Sequence, residues 1–143
     1  MAFPTQIIYN FKRIMQDSGL LSVGGSAEDG YILEATVSGF LFEESDKWVA
    51  YCRMLDLSSC GNTPKEAMDN IREAISFFFD SCIKRDTLHQ ALKELGWMCR
   101  NQDGDVKDLS DQCFPSRIPP AFVIEQLKKK GETWSGRVIL KDV

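Results

Sequence analysis

The feature that most constrains this chain is the tetrapeptide Thr63-Pro64-Lys65-Glu66. Thr63 can accept a hydrogen bond from an orphan amide at a helix start, Pro64 suits the first helical position, and Glu66 is spaced to bond back to the cap amide. Behind it, Ala67, Ile71, Ala74, Ile75, Phe78, Phe79, Cys82 and Ile83 recur every three or four residues. That spacing draws one wide apolar stripe along a helix of roughly 30 Å. Such a stripe must be laid on a sheet. Phe77, Phe78 and Phe79 read as core and interface, not as a cofactor or base-stacking site.

The segment before the helix supplies strands. From Tyr31 the period is two, with Leu33, Ala35 and Val37 alternating with Glu34, Thr36 and Ser38, as in a half-buried strand. Gly39 interrupts the pattern, and a bulge there would re-aim Phe40-Leu41-Phe42. Glu43 to Asp46 forms a polar turn, and Lys47 to Cys52 returns as the second strand of a hairpin. Leu55 to Cys60 adds a short third strand ended by Gly61-Asn62. Past the long helix, Thr87 and Gln90 repeat the capping pattern for a shorter helix with Leu88, Ala91, Leu92 and Leu95, closed by Gly96, with Trp97 folding back over its last turn.

The flanks read differently. Ile7, Ile8, Phe11, Ile14 and Met15 sit at helical spacing, set off by Gly24-Gly25-Ser26 and a turn at Glu28-Asp29-Gly30. At the other end, Pro119-Pro120, then Phe122, Val123, Ile124 and Leu127, then Lys128-Lys129-Lys130-Gly131 carry the start and stop signals of a three-turn helix. A last strand follows from Trp134 to Lys141; a hairpin pairing 122–128 with 133–140 is the competing reading. The expected organisation is an N-terminal helix and linker over 1–30, a central domain over 31–97, and a helix/strand extension over 98–143.

With 143 residues and 43% apolar composition, the chain can bury a core. Its net charge of −4 argues against a protein that chiefly grips bare phosphate backbone. The charge is uneven: residues 1–113 hold 11 basic and 18 acidic side chains, and residues 114–143 hold 6 basic and 3 acidic. An acidic body suits a basic partner. No membrane span and no signal-peptide layout is read, so a cytoplasmic protein is expected. Five cysteines without a C-x-x-C fit reduced, packing thiols, and the lone histidine, His89, reads as a surface residue. Residues 101–113 are acidic, but Gly104 directly after Asp103 and the lack of a closing Glu make them a turn and solvated loop, not a calcium site. No metal or cofactor is expected.

The run Trp48-Val49-Ala50-Tyr51-Cys52, then Leu55, then Cys60-Gly61-Asn62-Thr63-Pro64-Lys65-Glu66-Ala67, then Ile71 and Glu73-Ala74-Ile75, resembles the HicB-like antitoxin family of type II toxin–antitoxin systems. The resemblance covers about residues 31–97. It implies an α+β fold with a small antiparallel sheet (β-β-β) packed by a long helix, a truncated RNase H-type core without that enzyme's catalytic carboxylates. In line with this, Glu34 stands alone and Glu43, Glu44 and Asp46 fall in a turn, so no catalysis is expected. The resemblance further implies a homo-oligomer, a dimer or higher, that neutralises a small basic HicA-like RNase toxin by protein–protein contact. Tyr51, Arg53 and Met54, at the end of the second strand, are the candidate contacts. Arg53-Met54 stands where the family commonly has Pro-Glu. The tail shows neither a ribbon-helix-helix nor a helix-turn-helix module, which argues against operator DNA as a partner. The alternative is an orphan HicB-like module binding another protein or RNA; a small enzyme using Glu34, Asp56 or His89 ranks behind both.

Overall fold

The computed structural model describes residues 19–26, 30–100, 104–109 and 121–141. The expected N-terminal helix lies outside them. In chain order the elements are β1 (Leu20–Ser26), β2 (Gly30–Glu44), β3 (Lys47–Cys52), a 3-10 turn (Arg53–Leu55), β4 (Leu57–Gly61), α1 (Pro64–Lys84), α2 (Leu88–Glu94), β5 (Met98–Arg100), β6 (Val106–Asp108), β7 (Ala121–Lys130) and β8 (Thr133–Lys141). The class is α+β, as the sequence leads one to expect. The sheet is larger than the expected three strands: among the described residues it has eight and is mixed, β1 and β5 running parallel.

Strand β2 organises this sheet. Ile32 to Thr36 pair with both β1 and β8, and Phe40 pairs with both Tyr51 of β3 and Thr133 of β8. A strand has two edges, so β1 and β3 follow one another along one edge while β8 occupies the other. β4 lies outside β3, β7 outside β8, and β5 then β6 outside β1. Alternation along β2 buries Leu33, Ala35, Val37 and Leu41 on one face, where they join Leu21, Ala50, Cys52, Val138 and Leu140.

The register with β8 runs unbroken from Ile32 to Phe40, so the bulge expected at Gly39 is absent and Leu41 stays on the face of Val37. Gly39 instead makes room for the ring of its cross-strand neighbour Trp134. The bulge is in β7, at Glu125, where the register with β8 shifts.

Helix α1 starts as its sequence dictates. Thr63 Oγ1 accepts from the Glu66 amide at 3.1 Å, with Pro64 at the first position. Its stripe buries Ala67, Met68, Ile71, Ile75 and Phe79. The helix packs on β4 and β3 at one end of the run β4-β3-β2-β8-β7 and on β7 at the other, so the sheet curls around it as a half-barrel. Side chains of α1 reach both edge strands: Asn70 Nδ2 donates to the Cys60 carbonyl at 2.7 Å, and Arg72 donates to the Leu127 carbonyl at 3.3 Å. Each bond takes up a single carbonyl of its strand's edge.

Several expectations are corrected. The glycine-bearing stretch assigned to a linker includes strand β1, held between β2 and β5. The three-turn helix expected after Pro119-Pro120 is strand β7, and the competing hairpin is the one formed. Apolar residues at 122, 124 and 127 serve a strand once a bulge at 125 resets the alternation, and Gly131, at φ 64°, opens a tight turn instead of stopping a helix. The capping pattern at Thr87 and Gln90 is not used. Thr87 belongs to the end of α1, its amide bonding the Cys82 carbonyl at 2.8 Å past the left-handed Asp86, and Gln90 pairs with Glu94 at 2.9 Å. Gly96, at φ 81°, closes α2 as expected, with the Trp97 amide on the Leu92 carbonyl at 3.0 Å. Cys52, Cys60 and Cys82 are free thiols, whereas Cys99 is disulfide-bonded, against the expectation of reduced thiols throughout. The partner of Cys99 lies outside the described residues. Among the described residues, no helix is long and apolar enough to cross a membrane.

Candidate partner-binding surface

The expected contacts fall at one corner of the sheet. Strand β3 carries Tyr51 on the face away from α1, opposite Phe40 and Ser58, and the chain then enters the 3-10 turn of Arg53–Leu55. Three anchors hold this turn: Leu55 is buried, the left-handed Asp56 (φ 52°) donates its amide to the Arg53 carbonyl at 3.1 Å, and the Trp97 indole donates to the Met54 carbonyl at 2.7 Å. Trp97 in turn lies against Gly19, where a side chain would collide with its ring. Met54 is thereby part of the joint between the end of β3 and the start of β1, with its side chain packed on the core.

Tyr51, Arg53 and Asp56 share an electrostatic environment. Burial pushes the Tyr51 phenol above its usual range, the Asp56 carboxylate adds to that shift, and the Arg53 guanidinium opposes it. Arg53 Nε is buried with no hydrogen-bond partner among the described residues. The corner thus offers an aromatic hydroxyl, a cation and an acid within interacting range, a set suited to polar recognition.

A second surface lies on α1. Phe77 is 71% exposed, although Phe79 beside it is fully buried and Phe78 packs edge-on against Phe79 at 5.5 Å. Glu73 and Asp80, at i−4 and i+3, lie on the Phe77 side of the helix. Asp80 is paired with Lys84 at 2.9 Å, a pair open to solvent and cheap to exchange. An aromatic flanked by carboxylates can seat against a basic, partly apolar surface. The acids expected in a turn from Glu43 to Asp46 are divided: Glu43 and Glu44 end strand β2, paired with Trp48 and Lys47, and only Ser45 and Asp46 make the turn.

The structure brings Tyr51 and Arg53 together, turns Met54 into scaffold, and places Thr63, Pro64 and Glu66 at the start of α1. Glu34 is bridged to Arg137 at 3.4 Å, and Arg137 also pairs with the bulge residue Glu125. His89 is half-buried, with Nε2 2.6 Å from the Leu109 carbonyl. Gly104 sits at a positive φ of 87° in the acidic segment, which then forms the short strand β6. Among the described residues, no three His, Cys, Asp or Glu side chains are grouped to hold a metal. Phe77, expected with Phe78 and Phe79 as core and interface, is not part of the core: its offset of two residues from the buried Ile75 puts it on the polar side of the helix.

Compared with family models, curated proteins and solved structures, the chain matches none. The fold and surface therefore define only a class: an α+β module in which one curled sheet wraps a long helix.

Proposed function

We propose that this chain is an antitoxin-like binding protein, without catalysis of its own, that neutralises a small basic HicA-like RNase by protein–protein contact and works as a homo-oligomer in the cytoplasm. The observation that carries the reading is Phe77, exposed between Glu73 and Asp80 on α1. A cationic partner is steered by such carboxylates and anchored by the aromatic. The resemblance of residues 31–97 to HicB-like antitoxins, with their β-β-β-α order, and the acidic excess of residues 1–113 point the same way. Tyr51 and Arg53 at the far corner form the second contact. The truncated RNase H-type core implied by that resemblance belongs to the same proposal.

The test is co-expression with the small basic protein encoded beside this chain's gene. A stable complex that weakens with salt, and that loses about 2 kcal/mol of affinity on Phe77→Ala, is the expected result. No complex with that neighbour, or a complex indifferent to Phe77→Ala and Glu73→Lys, would sink the reading.

A further inference from the structure

A groove of about 650 Å³ runs between the first half of α1 and strand β7, with charge opposite to that of the Phe77 ridge. Its apolar floor is Met68 and Leu127, both nearly buried, and Lys65, Arg72 and Lys129 stand around it. The acid in its lining, Asp69, is already engaged by Lys65 at 2.9 Å and Arg72 at 3.7 Å. Lys129 is held with its ammonium 5.6 Å from the centre of the Trp48 ring.

The backbone along this groove is a sheet edge: among the described residues β7 pairs with β8 alone. Lys130 and Thr133 flank the tight turn at Gly131, so Lys130 and Lys128 exchange hydrogen bonds with β8. Leu127 and Lys129 then direct their N–H and C=O groups away from β8. The Arg72 bond to the Leu127 carbonyl agrees with that orientation. The same alternation splits the lysine run. Lys129 shares the α1 side with Leu127, whereas Lys128 and Lys130 project from the other face.

We infer that this groove takes an extended acidic peptide segment, added as a strand to the open edge of β7. Its backbone pairs with the Leu127 amide and with the amide and carbonyl of Lys129, Arg72 keeping the Leu127 carbonyl; every second side chain packs apolar on Met68 and Leu127, and the intervening carboxylates meet Lys128 and Lys130. Edge lysines repel a basic strand, lose hydration without a counter-charge against a neutral one, and complement an acidic one. A nucleic acid fits less well, because its phosphates need a continuous basic track and these cations are divided between two faces. This site stands independently of the capture of a basic RNase, which uses the opposite charge on another surface.

The experiment is fluorescence anisotropy with the full chain and a labelled peptide alternating Glu and Val. Saturable binding is expected, weakened about tenfold by the double change Lys128→Glu and Lys130→Glu, and weakened also by Lys65→Glu on the helix side. All three lysines are exposed, so these variants are expected to fold. Methylating alternate peptide amides should abolish binding, since that removes the strand pairing. Three results would each overturn the inference: equal binding of a Lys–Val peptide, indifference to amide methylation, or tighter binding of an oligothymidylate.

Discussion

Trp134 lies over Gly39, its partner across the β2–β8 pairing, and its indole Nε1 donates to the Phe40 carbonyl at 3.0 Å. Trp134 is 1% exposed, so the ring fills the inner face where Gly39 has no side chain. A methyl at position 39 would run into both that ring and the Tyr51 carbonyl oxygen, and backbone cannot swing aside as a side chain can. Gly39→Ala is therefore expected to destabilise the fold by about 1–3 kcal/mol. Urea denaturation should show a lower midpoint at unchanged slope.

The β2–β3 hairpin turns on Ser45 and Asp46, at φ 50° and 65°. Two consecutive positive φ values match the type I′ turn that favours Asn-Gly, and both residues present carry a side chain that disfavours this region. The double change Ser45→Asn and Asp46→Gly should stabilise the protein by about 1 kcal/mol, read as a rise in Tm of several degrees. An unchanged Tm would mean that the turn stores no strain.

Thr63 and Thr87 should respond unequally. Thr63→Ala removes the acceptor of the Glu66 amide and should cost about 1 kcal/mol. The Thr87 hydroxyl makes only a long 3.4 Å contact with the Cys82 carbonyl, so Thr87→Ala should stay within about 0.5 kcal/mol. Ile75→Ala, which opens a cavity where α1 meets the sheet, should cost about 2–5 kcal/mol. Chemical denaturation of the three variants side by side checks the ranking.

This contrast shows which parts of the fold were legible in the sequence. The Thr63 cap, the α1 stripe, the alternation of β2 and the Gly96 stop are local signals, satisfied within a turn or two of chain, and they read correctly. β1 and β7 are strands because distant partners claim them: Leu20 to Ser26 lie along β2, and Ala121 to Lys130 along β8, which in turn borders β2. Nothing inside Leu20 to Ser26, with its two glycines, announces that pairing. Lys128-Lys129-Lys130 looks like the cationic end of a helix, and only the strand period shows that the three charges face two ways. Of the candidate site, Tyr51 and Arg53 could be named, whereas the α1–β7 groove joins residues far apart in the chain. Counting cysteines likewise says nothing about the disulfide at Cys99, which depends on proximity in space.

The thiols make the last prediction. Cys52 ends β3 fully buried, and that burial pushes its thiol up from 9.0 to about 12, the amides of Leu55 and Met54 pulling weakly the other way. Between those two values the unfolded thiol ionises while the folded one keeps its proton. The unfolded state then binds fewer protons, so stability falls as pH rises, by up to about 1.4 kcal/mol per pH unit from this group alone. Below about pH 8 the effect vanishes, since both states are protonated. The raised Tyr51 phenol acts in the same direction at higher pH, but it is present in both the parent and a Cys52→Ala variant. Denaturation midpoints across the alkaline range should therefore fall less steeply in Cys52→Ala than in the parent, whatever the variant's stability at neutral pH. In the folded protein at pH 8, a thiol reagent should label exposed Cys60 and leave Cys52 untouched until denaturant is added. Prompt labelling of Cys52 would show that the end of β3 opens far more readily than its packing allows.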